Sequence, residues 1–141
     1  MLKGIPAILS PELLKILMQM GHGDELVLAD GTSPQFAHPD KVVRCDGHGI
    51  PELLDAILRF MPLDQYVESP TILMSVYSDD SCEPEIWEKY RKIGVKYEEK
   101  GIREMGVGKA EFYDRSRKAY AVVATSESAL CANMILKKGV V

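Results

Sequence analysis

The first apolar pattern in the chain is helical. Leu13, Leu14, Leu17, Met18 and Gly21 share one face at spacings of three and four residues. Ser10 is a good N-cap, Pro11 suits the first helical position, and Glu12 complements the positive end of the dipole. Gly21 and Gly23 predict the end of this helix through a left-handed cap. The period then changes. Glu25-Leu26-Val27-Leu28-Ala29 is a short apolar run of strand type that stops at Asp30, and residues 31–40, with two prolines, form a loop. Residues 42–45 read as a second strand ending at Asp46-Gly47, and Pro51 opens a second amphipathic helix with Leu53, Leu54, Ile57 and Leu58 inward. A third strand is predicted from Thr71 to Tyr77. Pro84 starts a third helix through Trp87 and Tyr90 that turns charged near residues 96–100. Residues 101–108 hold three glycines and show no readable period, residues 109–118 form a short helix, and residues 119–125 and 133–138 are two further strands. Helices alternate with strands throughout. That alternation predicts one α/β domain over residues 1–141, with a mostly parallel sheet covered on both faces.

Composition narrows the function classes. A chain of 141 residues can bury its own core, and 46% apolar with 27% charged residues is neither a disordered nor a fibrous composition. Seventeen basic against 21 acidic residues leave a net charge of −4, which argues against nucleic acid as a partner. Cys45, Cys82 and Cys131 lie far apart with no zinc spacing, as expected in a reducing compartment. The opening segment is broken by Pro6 and Pro11 and reads as no signal peptide, and no run approaches the ~20 apolar residues that cross a bilayer. A cytoplasmic protein with no membrane partner is expected.

Candidate chemistry lies at element ends. An open α/β sheet binds ligands beyond the carboxyl ends of its strands, which selects Asp30 and Asp46. His22 sits between two glycines at a helix C-terminus, where the dipole favours the protonated imidazole of a general acid. Asp46-Gly47 also reads as a plain turn with Arg44 as its ion-pair partner, His38 falls in the proline-bearing loop, and His48 has no partner motif. Trp87 and Tyr90 at helical spacing read as packing, and the scattered methionines as core filler. The GxGxxG, Walker, GxSxG and HExxH patterns are absent. From residue chemistry alone the chain is an α/β domain with a small-molecule site of unspecified reaction.

Several blocks carry a resemblance. Met1-Leu2-Lys3-Gly4-Ile5-Pro6, Leu9-Ser10-Pro11-Glu12-Leu13-Leu14 and Met20-Gly21-His22-Gly23-Asp24-Glu25 are similar to the fucose mutarotase branch of the ribose pyranase / fucose mutarotase family. So are Leu28-Ala29-Asp30, Arg44-Cys45-Asp46-Gly47, Pro62-Leu63-Asp64-Gln65-Tyr66, Phe112-Tyr113-Asp114-Arg115 and Leu136-Lys137-Lys138-Gly139-Val140, in order from one end of the chain to the other. The resemblance implies a three-layer α/β domain that forms ring-shaped homo-oligomers, commonly decamers, with sites at subunit contacts. It implies a sugar isomerase without cofactor or metal that exchanges anomers of L-fucose. The sister branch acts on the ring forms of D-ribose, and a sugar-binding ring without catalysis is the non-enzymatic alternative.

By the same resemblance His22 is the proton donor, and Asp30, Lys109 and Asn133 stand at substrate-binding positions. The chain departs from the family pattern in three places. Lys109 replaces an arginine, which keeps the charge and loses the planar fork. Cys131-Ala132-Asn133 replaces a triplet that begins with tyrosine, for which Tyr120 is a candidate stand-in. Thr32-Ser33-Pro34-Gln35 replaces an Asn-Phe-Pro-Ala loop.

Overall fold

Alternate residues of the apolar strands face opposite ways, so a strand buried on both sides needs a layer on each face. The computed structural model, which describes residues 1–33, 41–75 and 83–141, meets that requirement. Its elements run α1 (Pro11–Gln19), β1 (Glu25–Ala29), β2 (Val42–Cys45), α2 (Ile50–Leu58), β3 (Thr71–Met74), α3 (Glu85–Tyr97), β4 (Glu104–Val107), α4 (Lys109–Lys118), β5 (Ala121–Thr125) and β6 (Met134–Lys137). Leu26 and Leu28 of β1, Val123 of β5 and Leu136 of β6 join one apolar cluster with α1, α2 and α3. Val27, Ala29, Val122 and Ile135 point the other way, into a smaller cluster closed by Phe112 of α4.

The sheet order is β2-β5-β1-β6-β3-β4. β1 pairs parallel with β5, β5 with β2, and β3 with β4, while β6 runs antiparallel between β1 and β3. The expected mostly parallel, doubly covered sheet is therefore present, with one reversed strand that the sequence pattern did not separate from the others. The unreadable stretch 101–108 contains β4 at the sheet edge. The expected third strand ends at Met74, one residue short of the described Ser75, and its last two residues, with Cys82, His38 and most of the 31–40 loop, lie outside the described residues.

α1 ends at Met20 in an extended conformation (φ −61°, ψ 135°) rather than through the expected left-handed cap, while other local signals act where sequence placed them. Ser10 Oγ accepts the Leu13 amide at 3.2 Å, and Pro11 occupies the first turn of α1. Arg44 pairs with Asp46 through Nε at 3.0 Å and Nη2 at 2.7 Å on the exposed strand end. The Arg44–Asp46 pair is solvent-exposed and lines neither half of the site described below. His48 pairs with Glu52 one helical turn on.

Gly94 marks a close approach of α3 to Ile102. A Cβ there would fall 2.5 Å from Cγ2 of the buried Ile102 and 3.1 Å from its amide nitrogen. G94A is expected to cost about 1–3 kcal/mol by overpacking, although alanine is the better helix former by about 1 kcal/mol. Urea unfolding should show a lower midpoint with unchanged slope; a wild-type midpoint would mean that Ile102 yields freely.

Candidate active site

β1 separates two groups of polar side chains. His22 precedes its first residue and Asp30 follows its last, so a five-residue strand about 17 Å long runs between them. The connections of the sheet gather different neighbours at each end.

At the leading end, α1 stops at Met20 and the chain turns through Gly21-His22-Gly23. Gly23 takes a positive φ of 88°, a conformation glycine adopts without strain, and the Asp24 carboxylate accepts the Gly21 amide at 2.8 Å. This turn presents the His22 ring with its Nε2 3.0 Å from Asp64 Oδ1; the histidine side chain is 45% exposed and the aspartate 4%. Tyr66 lies beside the imidazole at 5.5 Å between ring centroids, and its amide donates to the same Asp64 oxygen at 2.9 Å.

Burial works to raise the Asp64 carboxyl. The hydrogen bonds from the Tyr66 amide and His22, with the charges of His22 and Lys137, outweigh it and hold the group below the ordinary carboxylate range. Asp64 is thus an ionised acceptor at neutral pH. It binds Nε2 and leaves Nδ1 as the nitrogen that can meet a ligand. Ile5, Leu14, Met18, Phe60 and Val141 surround this histidine with apolar surface, of which Met18 is 83% exposed.

At the trailing end, the reversed direction of β6 brings its first residues beside the last of β1, and the loop after β5 closes over both. Asp30, Thr32, Lys109, Tyr113, Glu127 and Cys131 line a depression of about 300 Å³. That volume is at the low end for small-molecule clefts. Asp30 Oδ1 accepts from the Thr32 amide at 2.9 Å and from the Thr32 hydroxyl at 3.0 Å, which fixes the carboxylate at the rim. Lys109, the first residue of α4, holds its Nζ 5.6 Å from the centre of the Tyr113 ring.

Asn133 lies behind the depression, fully buried. Its Oδ1 accepts the Asp30 amide at 2.7 Å and its Nδ2 donates to Ser33 Oγ at 3.1 Å, so it shapes the Asp30 turn from below. Glu127 ties the covering loop to the rest of the fold. Its carbonyl accepts the Gly31 amide at 2.9 Å, and its carboxylate accepts the amides of Ile50, Ser128 and Ala129, each at 3.0 Å.

Three of the four residues expected at a substrate-binding or donor position therefore gather at one end, and His22 stands at the other. Tyr120 does not replace the missing tyrosine: it precedes β5, and its hydroxyl faces Gln19 at 3.4 Å, at the end of the sheet away from Cys131. Asp64 and Tyr66 were not singled out as functional, although both lie in a block that carried the resemblance. Their link to His22 spans 42 residues and has no periodic signature.

Trp87 and Tyr90 pack as expected and do more. Trp87 Nε1 donates to the Cys131 carbonyl at 2.8 Å, and Tyr90 OH to the Ala132 carbonyl at 2.6 Å. Burial, then the charges of Glu127 and Asp30, push the Tyr90 phenol far up, so it stays a donor. Among the described residues, no three His, Cys, Asp or Glu side chains converge as a metal site requires, and no helix is long and apolar enough to cross a membrane.

Comparison with known proteins agrees along the whole chain. It is 47% identical to the fucose mutarotase of Bos taurus, over 99% of this chain and 94% of that protein. It is 45% identical to the L-fucose mutarotase of Actinobacillus pleuropneumoniae serotype 5b, covering 99% and 97%. The fold matches a crystal structure of the fucose mutarotase from Streptococcus pneumoniae in complex with L-fucose, with a TM-score of 0.88, 50% identity and 99% of both chains covered. Residues 3–141 match the model of the RbsD / FucU transport protein family, and the chain belongs to that family.

Proposed function

We propose that the protein is an L-fucose mutarotase, an isomerase that interconverts the α and β anomers of L-fucose. The observation that carries this reading is the pairing of His22 with the buried, ionised Asp64, a donor imidazole held in one orientation, in a chain half identical to a fucose mutarotase solved with L-fucose.

Anomer exchange opens and recloses the ring. A proton must reach the ring oxygen as the bond from it to the anomeric carbon breaks, and the anomeric hydroxyl must give up its proton as the aldehyde forms. Rotation about one carbon–carbon bond then lets the ring close on the other face. His22 supplies the first proton, with Asp64 orienting the imidazole. The Asp30 carboxylate receives the anomeric proton, and Lys109 binds sugar hydroxyls across the depression. Asn133 acts on the Asp30 turn. Positioned acid–base groups contribute about 10²- to 10⁴-fold each, enough for a reaction that already proceeds in water.

His22 and Asp30 serve one sugar only if they come from two chains, because β1 holds those of one chain too far apart. We therefore propose a homo-oligomeric ring, a decamer by family resemblance, in which the His22 end of one copy meets the Asp30 end of the next. The exposed apolar side chains around His22 support contact there.

The direct test is NMR magnetisation exchange between the anomeric signals of L-fucose, repeated with D-ribose, with and without protein. Faster exchange for L-fucose at catalytic concentration is the expected result. Enhancement confined to the ring forms of D-ribose would move the protein to the pyranase branch, and none with either sugar would favour a binding ring.

A further inference from the structure

The turn that carries His22 and the turn that carries Asp64 are both anchored on residues 137–139 at the end of β6. On one side the Gly23 amide donates to the Lys138 carbonyl at 2.8 Å, and the Lys138 amide donates to the Asp24 carbonyl at 2.9 Å. On the other side the Asp64 amide donates to the Lys137 carbonyl at 2.9 Å, the Gly139 amide donates to the Pro62 carbonyl at 2.8 Å, and Leu63 bridges antiparallel to Lys138. The approach is close enough that a Cβ on Gly139 would lie 2.4 Å from the Leu63 carbonyl oxygen.

The Lys138 side chain adds a third attachment. Its ammonium donates to the carbonyls of Leu17 at 2.7 Å and Met20 at 2.6 Å, the open carbonyls at the end of α1. A cation there satisfies acceptors that the helix cannot and meets the negative end of its dipole. Met20 is separated from His22 by one glycine. One residue thus grips the histidine turn before and after the imidazole while its own strand holds the aspartate turn.

We infer that Lys138 is a positioning residue of the reaction: through its ammonium it sets the turn so that His22 meets Asp64 in the orientation proton donation needs. The inference rests on His22 being the acid. Lys138 acts on the donor end of the site and Asp30 and Lys109 line the opposite end, so its loss should reach turnover and spare sugar binding. Misplacing a reacting group by about 1 Å costs on the order of 10²-fold.

The test compares K138M, which keeps the aliphatic stem, with wild type, K138R, H22A and S10A in the anomer-exchange assay with L-fucose. S10A removes the cap at the far end of α1 and reports what general loosening of that helix does. For K138M, kcat should fall by about 10- to 100-fold with KM within about twofold, and the His22 imidazole ¹⁵N resonances should shift. S10A should keep both kcat and those resonances, and K138R, which retains charge and donors, should recover most of the turnover. If K138M does not assemble, K138Q supplies the same comparison.

Wild-type kcat in K138M, or an equal kcat loss in S10A at matched Tm, overturns the inference. The two readings fail separately. An active H22A removes the acid assignment, whereas an inactive H22A beside a fully active K138M removes only the role of Lys138.

Discussion

H22A is expected to lower anomer exchange of L-fucose by about 10²- to 10⁴-fold, the range a positioned general acid supplies, with sugar affinity close to wild type. The imidazole is nearly half exposed and is not part of the apolar core, so its removal leaves that core intact. A stability effect should still accompany it, with a sign that can be worked out. Asp64 is held below its ordinary value partly by His22, so it stabilises the fold above the carboxylate range and loses that contribution as pH falls through its folded value. H22A should therefore melt somewhat below wild type at neutral pH and converge with it only once Asp64 is protonated. Turnover and melting are read on the same sample. Wild-type turnover in a folded H22A would sink the acid assignment.

Two inactive variants should regain activity when mixed. If each sugar is held between the His22 end of one copy and the Asp30 end of another, H22A rings and D30A rings each lack one half of every site. Chains co-expressed in equal amounts and distributed at random restore both halves at about a quarter of the contacts in a cyclic assembly. Activity should rise from near zero to roughly that share, after purification by two tags ensures that mixed rings are measured. Mixed rings that remain inactive would show that the two ends never act on the same sugar. H22A mixed with D64N provides the control: both lesions lie on the His22 half, so every site in the mixed ring carries one of them and no complete site forms.

Much of this arrangement was legible in the chain, and the strand between the two residues is the clearest case. An apolar run from Leu26 to Ala29, bounded by Asp24 and Asp30, reads as a strand, and a strand necessarily puts its flanks at opposite ends. The strand-end rule found Asp30 and the helix-end dipole found His22, each from local physics.

What escaped was non-local or unpatterned. Direction is not written in a four-residue strand buried on both faces, so nothing in Met134–Lys137 announced that β6 runs backwards. β4 is an edge strand whose Met105 and Gly106 face solvent, which removes the alternation that would reveal it. Asp64 reaches His22 only because two distant turns attach to the end of one strand, a tertiary fact with no spacing rule. Tyr120 was a reasonable substitute for the missing tyrosine by sequence distance, but β5 carries the chain from Tyr120 to the other end of the sheet before Cys131 is reached.

Cys131 has a left-handed φ of 54°, a conformation that favours glycine, and α3 grips its carbonyl and that of the next residue from behind through Trp87 and Tyr90. The path of the wall is thereby held through its backbone carbonyls, by contacts that do not involve the Cys131 side chain. A substitution at position 131 that tolerates a left-handed backbone should consequently alter the surface of the depression without rebuilding the loop that holds it.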